Sequence, residues 1–168
     1  NYNVNAMYAW LRSGTILITN HSEHFYKIKD VSVSVNYKGH QKTGFSILFK
    51  CSPFRYERGE SVITVDSDDA TIENTGNYYS EPTFIVRGTG DVEIQINGSR
   101  NKLQIKNMQK DTHINVEKRL VYYTFSDGSI EFVRFSGNFP YLSPGINTMH
   151  WSGENVSEID VFVNARWL

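Results

Sequence analysis

One cysteine in 168 residues rules out a disulfide within the chain. Cys51 stands in "SILFKCSPF" among apolar neighbours, where a buried, inert thiol is expected rather than a nucleophile. Long hydrophobic runs are also missing. No stretch approaches the roughly 18 apolar residues that span a bilayer, and "NYNVNAMYAW" at the start lacks the charged opening and apolar centre of a signal peptide. Neither sign of charge is in excess: 17 Lys and Arg stand against 18 Asp and Glu, so nucleic acid and anionic membrane are not expected partners. Alanine and leucine are scarce, whereas aromatics make up 14%, with ten Tyr and ten Phe, and Val and Ile are frequent. That is a strand composition.

The usual local signatures of catalysis are absent as well. There is no GxSxG elbow, Walker loop, GxGxxG or HExxH. "RGTGD", residues 87 to 91, spaces two glycines closely but opens no helix, and reads as a turn joining two strands. His21 and His24 have no further ligand at zinc spacing. Asp66, Asp68, Asp69 and Glu73 could attract a hard cation, yet Ala70 and Thr71 fall where a calcium loop needs an oxygen ligand and then glycine. The expectation is a solvated face, no metal, no cofactor and no enzyme. A glycosidase needs only two converging carboxylates, which spacing alone does not exclude.

Local pattern supplies the elements. Val4, Met7, Tyr8 and Leu11 share one face of an expected helix over residues 4 to 12, stopped by Ser13-Gly14. From Thr15 the period becomes two. Val31, Val33 and Val35 alternate with serines, and antiparallel strands are expected between residues 15 and 52, packed on that helix with Trp10 and Leu11 in or near the core. The charged, glycine-containing "RYERGES" marks a boundary near residue 58, giving domains 1–58 and 59–168. Beyond it, short strands recur every 8 to 12 residues or so, the spacing of an antiparallel β-sandwich. Asn97-Gly98 and Asp127-Gly128 predict two-residue type I′ hairpins. Ile159, Val161 and Val163 predict one inward face of a final strand.

"NFPYLSPGINTMHWSG", residues 138 to 153, has two prolines and no charge. Neither proline can donate a ladder hydrogen bond, and Pro144-Gly145 suits the centre of a type II turn. The segment is expected to cross out of the sheet, with Phe139, Leu142 and Ile146 plugging the end of the core and Trp151 beginning the return strand or stacking beside it. Tyr78, Tyr79, Tyr141 and Trp151 lie in or beside loops and are the candidate binding residues, since an exposed aromatic face can take a sugar ring. Asn20, Asn97 and Asn155 head N-x-[ST] sequons and are read as turn asparagines.

The order of these features resembles the distal tail protein of siphophages and related prophage tail components of Gram-positive bacteria. A helix ending in "AWL" leads into strands; the first domain closes with "FKCSPFRY"; the second opens with "SEPTFIVRGTGDVEIQING". Gly137, Phe139, Pro140, Leu142, Pro144, Gly145, Asn147 and Gly153 match the family's segment before its last strand. The resemblance implies a mainly β protein: part of a ring domain with one helix, its N-terminal portion expected to be missing, followed by a galectin-like antiparallel β-sandwich. It implies a virion structural protein, made in the bacterial cytoplasm, whose full-length form is a hexameric hub. Implied partners are the tail tube protein, the tail-associated hub protein, and receptor-binding or baseplate proteins. The alternative is a carbohydrate-binding module for host cell-wall saccharide.

Overall fold

The computed structural model describes residues 16–18, 23–59, 62–98 and 100–168. They are built from antiparallel β-strands, and no helix occurs among them. The helix expected over residues 4 to 12, with Trp10 and Leu11, lies outside the described residues. The chain divides into two compact units, one ending at Arg58 and the other running from Gly59 to Trp167.

The first unit contains β1 (Ile16–Ile18), β2 (His24–Lys38) and β3 (Gln41–Glu57), paired in that order. β2 and β3 make a long ribbon from His24↔Glu57 to Lys38↔Gln41. Gly39-His40 turns it, with Gly39 at φ 62°, the conformation a type II′ hairpin asks of its first central residue. Val31 and Tyr56 are its buried apolar side chains. Phe25 stacks on Tyr56 at 5.6 Å, with the Lys27 ammonium 4.2 Å from the Tyr56 ring centre. Cys51 is half-buried rather than enclosed, because this thin ribbon has little interior to put it in.

The second unit holds β4 (Val62–Val65), β5 (Asp69–Asn74), β6 (Thr83–Ile96), β7 (Lys102–Met108), β8 (Thr112–Asn115), β9 (Leu120–Thr124), β10 (Ile130–Phe132), β11 (Phe135–Gly137), β12 (Gly145–Ser152), β13 (Asn155–Phe162) and β14 (Arg166–Trp167). β6 organises it. Its first half pairs with β8 and β13, and its second half with β7 and β12. β4, β9 and β10 extend one sheet; β5 and β11 extend the other. "RGTGD" is therefore a bend inside one continuous strand, not a turn between two. Gly88 and Gly90, at φ 131° and 91°, supply it in a region where a Cβ is disfavoured.

Period-two patterning explains the core. Phe84 and Val86 from one half of β6, and Val92, Ile94 and Ile96 from the other, point inward, with Arg87, Glu93 and Gln95 outward. They join Leu103, Ile105, Ile114, Val121, Met149, Trp151, Ile159, Val161 and Val163 in one apolar cluster between the sheets. Fully burying each such side chain contributes about 1.5–3 kcal/mol.

Both Asx-Gly hairpins form, but with longer loops than two residues. At the first, the Ile96 amide donates to the Asn101 carbonyl, closing a four-residue loop; Asn97 at φ 50° uses its amide and carboxamide to bind Thr148 of β12 instead of turning tightly. At the second, the Phe125 amide donates to Ser129 and the Gly128 amide to Phe125. This is a three-residue loop, with Gly128 at φ 82° forming the bulge position and Asp127 accepting from the Ser129 amide at 2.9 Å.

Candidate functional site

Two loops meet at one end of the second unit: the one joining β5 to β6 and the one joining β11 to β12. Asparagine side chains that mimic backbone turns shape both. Asn74, buried at the end of β5, accepts from the Gly76 amide at 3.0 Å and donates to the Tyr78 and Leu142 carbonyls at 3.0 and 3.1 Å. Gly76 is required for close approach, because a Cβ there would sit 2.4 Å from the Arg166 carbonyl oxygen. Ser80 and Leu142 exchange backbone hydrogen bonds of 2.9 and 3.1 Å, and the Ser80 hydroxyl donates to the Val163 carbonyl.

Asn147, fully buried, fixes the second loop. Its carboxamide oxygen accepts from the Ser143 amide at 2.8 Å, and its nitrogen donates to the Ser143 and Gly145 carbonyls at 2.9 Å each. Gly145 has φ 84°, as the second central position of a type II turn requires. Leu142 is fully buried and Phe139 packs on the core, edge-on to Phe135 at 4.8 Å. Ile146 does not join them: it is 74% exposed, because the strand begins at Gly145 and its alternation turns residue 146 outward and Asn147 inward.

Three of the four candidate aromatics come together here. Tyr79 lies edge-on to Tyr78 (5.9 Å, 83°) and to Tyr141 (5.2 Å, 88°), and all three are exposed. The Arg166 guanidinium stands 5.6 Å from the centre of the Tyr78 ring, donates to the Tyr79 carbonyl, and pairs with Glu81 at 2.8 Å. Trp151 is elsewhere. It sits near the end of β12, not at its start, is buried in the core, and its indole donates to the Ser67 carbonyl at 2.6 Å. A ring with no open face cannot stack on a ligand.

The residues that hold the tyrosines were not evident in sequence. Asn74, Asn101 and Arg166, all buried, bind the carbonyls of Tyr78, Tyr141 and Tyr79 respectively. Nothing local marks an arginine four residues past the end of β13, or an asparagine among several, as a loop anchor; the role depends on tertiary position.

A separate open cleft of about 570 Å³ lies where β6, β7 and the β12–β13 turn meet, lined by Asp91, Glu93, Gln104, Lys106 and Glu154 among others. Gln104 at 2.6 Å and Lys102 at 2.9 Å hold the Glu93 carboxyl below its usual range. A general acid needs the opposite shift. Asp69 of the acidic stretch pairs with His150 across β5 and β12, and no group of three metal-ligating side chains occurs among the described residues.

No protein-family model matches the sequence, and no curated protein does. Among solved structures, the chain is similar to the crystal structure of SPP1 Dit (gp 19.1) protein, described as a paradigm of the hub adsorption apparatus in phages that infect Gram-positive bacteria. The TM-score is 0.58 at 13% identity, over 89% of this chain and 63% of that one. The chain thus spans about three-fifths of its neighbour's length, and what the two share is a fold, that of a phage tail hub protein.

Proposed function

We propose that the chain is a structural, non-catalytic component of a phage tail tip: a distal tail protein whose full-length form assembles as a hexameric ring between the tail tube and the baseplate or receptor-binding apparatus. On this reading residues 1–58 belong to the ring domain and residues 59–168 form a galectin-like sandwich. Its place is the virion, after synthesis in the bacterial cytoplasm. The observation that carries the reading is the fold likeness to SPP1 Dit across 89% of the chain, joined to the order of sequence motifs. Tyr37, Phe45 and Leu48 of the ribbon, 60%, 45% and 70% exposed, are the kind of surface that ring closure buries. The test is the mass of the full-length protein in solution, with antibody labelling of intact phage. Six copies and a labelled tail tip support the proposal; a monomer at all concentrations with unlabelled virions overturns it.

A second reading, a module that binds host-surface saccharide, is favoured by the clustering of Tyr78, Tyr79 and Tyr141. The two readings are compatible, since a tail-tip protein works at the host surface.

A further inference from the structure

We infer that Tyr78, Tyr79 and Tyr141 form a preorganised platform for a saccharide, with Glu81 at its polar edge. The inference deepens the second reading above and does not need the ring.

Three features carry it. The first is where the fold places its buried polar groups. Among the described residues these are Asn74, Ser80, Asn101, Thr112, Asn147 and Arg166, and the side chains of Asn74, Asn101, Asn147 and Arg166 bind the backbone of the two loops that bear the tyrosines. Buried polar side chains are costly unless satisfied. Here each exposed tyrosine has its own carbonyl tied to one of them, so the backbone that carries the three rings is set in place before any ligand arrives, and the edge-on contacts hold the rings against one another. Binding then loses little conformational entropy.

The second feature is the shape and chemistry of the patch. Tyr79 meets both neighbours at nearly right angles, giving a stepped aromatic surface. Aromatic faces accept the C–H face of a pyranose, while phenol hydroxyls donate to and accept from its hydroxyls and a carboxylate accepts from them. Glu81 supplies that carboxylate; its side chain is 39% exposed, and its pairing with Arg166 at 2.8 Å orients it.

The third is size. The tyrosines are 38%, 47% and 43% exposed. Together they present a few hundred Å², well short of the roughly 800 Å² per partner that a stable protein interface buries. That area suits one or two sugar rings.

The test is saturation-transfer NMR on the full chain with irradiation of the aromatic protons. The probes are glucose, galactose, rhamnose, N-acetylglucosamine, and soluble wall polysaccharide from a Gram-positive cell. Transfer to the ring C–H protons of at least one probe is expected. Tyr79→Ala and Tyr141→Ala should each weaken binding about tenfold, the scale of losing one anchoring aromatic, and Tyr79→Phe should retain most of it. Phe132→Ala, an exposed aromatic on β10, should change nothing. Unchanged far-UV circular dichroism separates loss of the platform from loss of the fold. No transfer from any probe, or transfer equally strong in Tyr79→Ala and Tyr141→Ala, overturns the inference. Either result leaves the hexamer unaffected, because that reading is decided by mass and not by sugar.

Discussion

Gly145 and Asn147 sit two residues apart and hold the same loop by different means, which their substitutions should separate. At Gly145 a Cβ would meet nothing within 4 Å, so alanine suffers only the strain of φ 84°. Gly145→Ala is expected to destabilise by about 1 kcal/mol, without the added loss of an apolar lid, since Ile146 is not part of one. Asn147→Ala removes the partner of the Ser143 amide and of the Ser143 and Gly145 carbonyls and empties a fully buried position, and should cost about 2–4 kcal/mol. Urea unfolding followed by tryptophan fluorescence checks both; equal costs for the two would refute the role given to the asparagine. The turn at Pro144-Gly145 was legible because proline and glycine carry their backbone preferences with them. Trp151 was misread for the converse reason: "TMHWSG" looks like loop by composition, and only pairing with β5 and β6 shows that Met149 and Trp151 are alternate inward positions of a strand.

At the scale of one element, β6 shows how two glycines can be unequal. A Cβ on Gly88 would lie 2.1 Å from the Asn155 carbonyl oxygen, where β13 crosses the bend, whereas one on Gly90 has the Asn155 carboxamide at 3.7 Å as its nearest neighbour. Gly88→Ala should therefore cost about 3 kcal/mol or more, through displaced backbone, and Gly90→Ala about 1–2 kcal/mol, through strain alone. Thermal melts of the two variants test the ordering. The sequence made the alternation on either side of "RGTGD" plain but not the continuity between them, because a sharp bend and a true turn use the same residues. The same ambiguity lengthened both hairpin loops: Asn97 and Asp127 have side chains that bond outward or forward as readily as they tolerate a tight turn.

Also on this bend, Arg87 of β6 reaches across to β13. It donates to Asp160 from Nε at 3.2 Å and Nη2 at 2.8 Å, and Thr64 adds a hydroxyl at 2.8 Å. Those bonds, the arginine's above all, hold the Asp160 carboxyl below its usual range. A depressed folded-state pKa means stability that is present above the unfolded value, near 3.9, and lost as pH falls through the lower folded one. Arg87 is two-fifths exposed, so screening limits the effect to about 1 kcal/mol. Asp160→Asn should remove that part of the acid dependence below about pH 4, leaving a flatter stability profile in acid than the parent chain.

Across the whole molecule, the two units differ in how much they bury. Strands of the second unit contribute to one apolar cluster, while the ribbon of the first encloses little beyond Val31 and Tyr56. A ribbon with so thin an interior is marginal by itself, and local opening follows burial. Amide exchange should therefore be fast between Asn36 and Phe45, around the Gly39-His40 turn, and slowest at Ile94, Ile114 and Met149. The period of two made the strands of both units readable, but burial depth was not, since Val33 and Ile94 look alike in sequence and only the facing sheet distinguishes them. If the proposed ring exists, it covers the ribbon. Full-length protein assembled as hexamer should then show slowed exchange at Ser34 to Leu48, with the second unit unchanged, and Leu48→Asp should abolish both the slowing and the hexamer while leaving the unfolding midpoint of the second unit in place. Ribbon amides that exchange equally fast in free and assembled protein would mean that the ring, if it forms, is closed by some other surface.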